Sequence, residues 1–168
     1  MSETLAPVED RRRRSRNVSS ALAIYFSVPG LHLCLPLDCV GRVLPIMTLQ
    51  EVPQAPQHAV GLMNLGGEII PVLDLAMWLR RPDFSYDLDT PILLCTDGMR
   101  SAGLLVQAVG GVGSIENNQR QMAGVSGEGP SPFISVFDRN DVLTFMLDID
   151  SVLDVAASGD PTQAIRMP

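Results

Sequence analysis

The sequence predicts an all-β fold: two small five-stranded barrels packed around one aliphatic core, with short helical turns. Three observations predict it. Apolar residues alternate with period two on either side of tight-turn dipeptides, Pro29-Gly30, Gly66-Gly67 and Asp97-Gly98. The strand-like segments of the first half recur in the same order in the second. Hydrophobic residues make up 46% of the 168 but aromatics only 5%, so a core can form and it must be aliphatic.

Residues 1–20 are polar and basic with no apolar period, and read as a disordered arm. From Ala21 the pattern changes. Ile24, Phe26 and Val28 alternate with polar neighbours. After Pro29-Gly30, Leu31, Leu33, Leu35 and Leu37 alternate with His32, Cys34, Pro36 and Asp38. That is a hairpin with one buried face. Val40–Leu44 is a third short strand, and Pro45, Pro53 and Pro56 then impose a loop. Val60–Leu65 and Glu68–Asp74 flank Gly66-Gly67, a turn that needs positive φ. Asp74 precedes Leu75, Met77, Trp78 and Leu79, a short helix or turn ended by Arg80-Arg81-Pro82.

The second half, 86–155, opens with strands Pro91–Thr96 and Ser101–Val106 around Asp97-Gly98, then a weak glycine-rich strand at Val109–Ile115. Residues 116–131 read as loop. Pro132–Val136 and Val142–Leu147 form a last hairpin around Asp138-Arg139-Asn140-Asp141, followed by a helical turn at Ile149–Leu153. Residues 156–168 read as a flexible tail.

Ile69–Leu75 falls on Leu143–Ile149 at an offset of 74, and Leu35–Val43 on Leu104–Val112 at an offset of 69. Each half, 21–85 and 86–155, then holds about five strands. Closing five short strands into a barrel removes sticky edges. Two such barrels share a core, and the groove between them is the natural place for a partner.

Charge and composition exclude several function classes. Five arginines (Arg11, Arg12, Arg13, Arg14, Arg16) against three carboxylates leave +2 on residues 1–20, so the rest of this net −7 chain carries −9. An acidic body repels phosphate backbones, and no nucleic-acid partner is expected. The arm is a solvated tail or an electrostatic contact for an acidic partner or anionic membrane surface. All 12 basic residues are Arg. The missing lysine excludes a P-loop, a Schiff base and a kinase-type phosphate lysine. Cys34, Cys39 and Cys95 are odd in number and lie in apolar runs, which suits a reducing compartment. No apolar run reaches the ~18 residues of a membrane span, and no signal peptide is read. A cytoplasmic location without membrane insertion is expected.

Catalytic constellations are hard to assemble. His32 lies on the polar face of a strand and His58 after a proline-rich loop, neither with a partner at metal spacing. Asp74 and Asp148 are equivalent in the repeat and could be an acid–base pair. Each also stands between a strand and a short helix, where Asp is a helix N-cap, and capping is the simpler reading. Gly110-Gly111-Val112-Gly113 and Gly127-Glu128-Gly129 lack the lysine and following helix of a phosphate loop, and Ser126 lacks the glycine spacing of a nucleophile elbow. The expectation is no enzyme, no cofactor and no metal.

Gly61-Leu62-Met63-Asn64-Leu65-Gly66-Gly67-Glu68-Ile69-Ile70-Pro71-Val72-Leu73-Asp74-Leu75 resembles the central motif of CheW-like domains, G-x-x-N-L-R-G-x-x-x-P-V-x-D-L. Leu35–Val43 resembles that family's upstream strand, and Leu147–Leu153 its closing segment, so the likeness runs over roughly residues 21–155. The resemblance implies two SH3-like barrels and a non-catalytic adaptor. Its implied partners are chemoreceptor cytoplasmic tips and the regulatory domain of the histidine kinase CheA, at receptor arrays on the inner membrane face. It also implies a receptor contact around Val40, Arg42, Val43, Asn64 and Gly66, with Gly67, Asp74 and Asp148 as turn and cap residues. The sequence departs from the family at two of these. Arg42 stands where an acidic residue is common, and Gly66 where Arg is usual, so the acidic–Arg pair cannot form. Arg42 is left to pair locally with Glu51 or Glu68. A divergent receptor set, in a second chemosensory or a pilus-motility pathway, is the expected consequence. Two alternatives remain open: a receptor-binding adaptor without kinase coupling, and a small ligand-binding or enzyme barrel with its site between the halves.

Overall fold

Every tight turn marked by the sequence closes a hairpin. The computed structural model describes residues 22–81, 84–115, 120–121 and 131–158. The expected basic arm at 1–20 and residues 159–168 of the expected tail lie outside these, as does most of the loop at 116–131. The order is β1 (Leu22–Val28), β2 (Leu31–Pro36), a 3-10 turn (Leu37–Cys39), β3 (Val40–Pro45), β4 (Ala59–Leu65), β5 (Glu68–Asp74), α1 (Leu75–Trp78), β6 (Pro91–Thr96), β7 (Ser101–Leu105), β8 (Ala108–Ser114), β9 (Arg120–Gln121), β10 (Phe133–Arg139), β11 (Val142–Leu147) and α2 (Ile149–Ser158).

The strands form two SH3-like barrels. One follows the order β8-β1-β2-β11-β10-β9, the other β3-β6-β7-β5-β4. These orders match strand for strand at the offsets of the sequence repeat. Neither barrel is one sequence half, however. The β1–β2 hairpin of the first half docks on β11 and β8 of the second, and the β6–β7 hairpin docks on β5 and β3 of the first. Both dockings onto the helix-bearing strands are parallel: Phe145 opposite Leu33, and Leu73 opposite Leu104. The halves have exchanged hairpins.

The exchange explains a second departure. The β1–β2 hairpin buries both faces, not one. Ile24, Phe26, Leu33 and Leu35 point into a core shared by the barrels, where they meet Leu93, Cys95, Ala102 and Leu104 of the other hairpin. Tyr25 and Cys34, on the opposite face, enter a separate core inside their own barrel with Phe137 and Met146. The other barrel has its own interior of Met63, Ile70, Val72, Ile92 and Leu105. Each hairpin is therefore a wall between two cores. Burying a Leu or Ile there contributes roughly 1.5–3 kcal/mol, so the shared core ties the barrels together.

Both barrels close the same way. Gln50 and Leu62 exchange backbone hydrogen bonds, N–H to carbonyl, at 2.8 Å each way, joining the chain beyond β3 to the outer edge of β4. The two-residue β9 does the same for β10, which gives that sheet six strands rather than five.

Asp74 and Asp148 cap the two helices. The Asp74 carboxylate accepts from the Met77 N–H at 3.0 Å; that of Asp148 accepts from the Asp150 N–H at 3.2 Å and the Ser151 hydroxyl at 3.0 Å. The second helix runs on past Leu153 to Ser158, and Ala156, expected in the tail, is buried at 1% exposure. Ile149, Val152, Leu153 and Ala156 hold the i, i+3, i+4, i+7 spacing of one helical face. The uncharged run Val155–Ser158 hides that spacing.

Arg100 fastens α2 to the β6–β7 turn. Its guanidinium bonds Asp97 at 3.0 Å, Asp154 at 2.6 Å and Asp150 at 3.5 Å. Burial alone would push Asp97 up, but the backbone N–H groups of Arg100 and Met99 and the Arg100 side chain outweigh it and hold the carboxyl below its ordinary value. A carboxylate depressed in the folded state stabilises above its unfolded value and loses that contribution as pH falls through the folded value. Replacing Arg100 by alanine should cost about 1 kcal/mol at pH 7, the scale of an exposed network. In urea titrations the gap between variant and parent should close below pH 3.8, as the carboxylates protonate.

Candidate functional site

The five residues singled out for partner contact all lie in the β3–β7 barrel. Val40, Arg42 and Val43 are on β3, which among the described residues is an edge strand paired with β6, through Val40 opposite Cys95 and Val43 opposite Leu93. Asn64 is in β4 and Gly66 in the β4–β5 turn, where the Asn64 side-chain oxygen accepts from the Gly67 N–H at 2.8 Å. Through the sheet register the start of β3 and that turn lie toward the same end of the sheet. Arg42 is exposed and, among the described residues, pairs with neither Glu51 nor Glu68. That corrects the expected local pairing.

Val43 is 47% exposed, unusual for a valine in a chain with this core. Its repeat partner is Val112 on β8, the edge strand of the other barrel, and Val112 is 53% exposed. The 69-residue offset already paired these two positions, yet the sequence reading took only Val43. That both valines are exposed on matched edge strands is visible only in the structure.

A second feature was not foreseen at residue level. A cleft of about 340 Å³ opens between the barrels. Leu31 of β2, Trp78 of α1, Phe133 and Phe145 supply its apolar floor, and Arg80 and Arg81 its rim. The rings of Phe133 and Phe145 pack at 5.1 Å.

The three cysteines are not poised for reaction chemistry. Burial pushes the Cys34 thiol up to about 12, and burial with the adjacent Asp38 carboxylate does the same for Cys39; burial raises Cys95 as well. Thiols held so high are poor nucleophiles and poor metal ligands. Among the described residues, no three His, Cys, Asp or Glu side chains gather as a metal site, and no helix is long and apolar enough to cross a membrane. Asp74 and Asp148 cap their own helices in different barrels.

The family model for the CheW-like domain matches residues 23–157, nearly all of the described chain. The chain belongs to the CheW-like domain family. Among curated CheW-like relatives, it is 27% identical over 129 residues to the chemotaxis protein CheW of Thermotoga maritima, covering 77% of this chain and 85% of that one. It is 31% identical over 69 residues to the chemotaxis protein CheW of Klebsiella aerogenes, covering 41% and 42%. It is 30% identical over 90 residues to the protein FrzA of Myxococcus xanthus, covering 54% and 56%. The scaffolding protein TtCheW of Thermoanaerobacter tengcongensis superposes with a TM-score of 0.70 at 23% identity, over 77% of this chain and 89% of that one, which shows the shared fold. The paired barrels are the fold shared with that structure.

Proposed function

We propose that this chain is a non-catalytic chemosensory adaptor that binds chemoreceptor cytoplasmic tips and the regulatory domain of the histidine kinase CheA. Holding both raises the concentration of each for the other, so no new chemistry is needed. The observation that carries this reading is a CheW-like domain across residues 23–157, with Val43 exposed on the edge strand β3. It acts in the cytoplasm, at arrays beneath the inner membrane.

The receptor surface is the β3 edge, with Val40 and Val43 as apolar anchors and Asn64 and Gly66 toward the same end. A receptor tip is a helical hairpin, which recognises such a surface through apolar side chains at helical spacing. Arg42, exposed and unpaired among the described residues, selects against tips that suit an acidic residue there and favours tips with a carboxylate opposite. The matching receptors are a divergent set.

Val43 supports no core, so Val43→Asp should leave the unfolding midpoint unchanged. It should weaken binding of the cognate receptor tip by tenfold or more, as removal of a central apolar anchor does. Titration calorimetry with a receptor-tip fragment reads this directly. Unchanged affinity would place the receptor surface elsewhere. Binding a standard tip as tightly as an ordinary family member does would remove the specialisation assigned to Arg42.

A further inference from the structure

Met99 is the most exposed large apolar side chain among the described residues, at 90%. It stands in the turn between β6 and β7, Asp97-Gly98-Met99-Arg100. Polar bonds pin the backbone of that turn. The Asp97 carboxylate accepts from the Met99 N–H at 2.9 Å and the Arg100 N–H at 2.7 Å, and the Thr96 hydroxyl accepts from the Gly98 N–H at 3.0 Å. The Arg100 guanidinium then ties the turn to α2 through Asp154. The backbone is held while the Met99 side chain is left in solvent.

The place of the turn gives that exposure a use. Val40, at the start of β3, pairs with Cys95, two residues before the turn. Through β7 and β5 the same turn lies toward the end of the sheet where the β4–β5 turn carries Gly66. Both stretches assigned to the receptor contact therefore meet Met99 at one end of the barrel. An unbranched, polarisable side chain suits an adaptable apolar contact.

A thioether also carries chemistry that the other exposed apolar residues lack. It needs no deprotonation to react, so access governs its oxidation. Met63 and Met146 are buried in the two barrel interiors, and Met77 on α1 is 39% exposed. The cysteines, kept protonated by burial, compete poorly for an oxidant.

We propose that Met99 is a site of reversible oxidation by hydroperoxides, and that its sulfoxide weakens docking at this end of the barrel. The docking half rests on the receptor reading above; the oxidation half does not. The Met99 sulfur attacks one peroxide oxygen. The O–O bond breaks and an S–O bond forms. With hydrogen peroxide, the other oxygen leaves as hydroxide and takes the proton of the transferred oxygen, giving water. The sulfur gives up two electrons and the peroxide gains them. A flexible apolar side chain becomes a polar one, and methionine sulfoxide reductases restore it. The side chain supports no core, so docking changes and the fold does not.

Hydrogen peroxide treatment of the full chain, followed by cleavage after arginine and mass mapping, tests the first half. The peptide of residues 81–100 holds Met99 as its single methionine. Met99 should oxidise about tenfold or more faster than Met63 and Met146. Calorimetry with the receptor-tip fragment tests the second half. The oxidised chain should bind about fivefold or more weakly, as loss of an apolar anchor does, at an unchanged unfolding midpoint, and reductase treatment should restore it. Met99→Leu, apolar and without sulfur, should keep its own affinity through the same treatment. Met99→Gln should bind weakly with no peroxide added. Met99 oxidising no faster than Met63 and Met146 would overturn the proposal, as would peroxide sensitivity that survives in Met99→Leu. So would full affinity of the oxidised chain alongside loss of binding in Val43→Asp. Full affinity in both would sink the receptor reading and the docking half with it.

Discussion

Replacing Leu35 by alanine is expected to destabilise the whole protein by about 3–4 kcal/mol, in the upper part of the range for a buried Leu that cannot be refilled. Leu35 has no exposed surface and lies in the shared core, where side chains come from both hairpins and both helices. Its repeat equivalent, Leu104, is equally buried in the same core. Leu104→Ala should therefore cost a similar amount. The double variant should deviate from the sum by at least about 0.5 kcal/mol, because both substitutions open one cavity. Urea unfolding followed by Trp78 fluorescence and by far-ultraviolet circular dichroism should give one coincident transition in each case. Barrels that were independent units would give two, with Leu35→Ala moving only one.

Gly61→Val is expected to be nearly as damaging, by about 2–4 kcal/mol, for a different reason. Gly61 has φ +151°, and a Cβ built there falls 2.8 Å from the Gln50 carbonyl oxygen and 3.1 Å from the Leu49 Cβ. The Gln50 oxygen is backbone and is already fixed by the Leu62 N–H, so it cannot yield without opening the bridge that closes this barrel. Overpacking of this kind costs roughly 1–3 kcal/mol before the lost hydrogen bonds are added. Loss of amide-exchange protection at Gln50 and Leu62, ahead of the core strands, is the measurement that checks it. A fully protected pair would show that the loop moves away freely.

Much of the fold was legible because its signals are local. Alternation around Pro29-Gly30, Gly66-Gly67 and Asp97-Gly98 places three hairpins, and the Asp after each central strand marks both caps. The repeat gave the strand correspondence at offsets of 69 and 74. What the sequence hides is which half a hairpin joins. Leu33 can pair beside β11 or beside its own half's β5 with the same apolar pattern, and only the three-dimensional sum of buried faces selects β11. The same limit made β2 look one-faced. Cys34 reads as a polar-side residue until the barrel interior behind it, with Phe137 and Met146, is visible. In helix α2, Val152, Leu153 and Ala156 carry a regular period whose last turn lacks the charges that usually announce a solvent face.

The candidate site was legible more unevenly. Gly66 stands out within an otherwise ordered motif and Arg42 upstream of it, and the structure shows Arg42 exposed. Val112 was present in the aligned repeat but carried no sequence signal of exposure. The cleft draws Leu31, Trp78, Phe133 and Phe145 from four elements of both halves, so no window of sequence contains it.

Co-sedimentation measures the adaptor role most directly: membranes bearing the cognate receptors, the kinase CheA, and this chain present or withheld. The account predicts that kinase enters the pellet with receptors only when the chain is added, and that Val43→Asp abolishes that recruitment while remaining folded. Kinase that pellets equally without the chain, or a chain that pellets with receptors yet never brings kinase down, would contradict it.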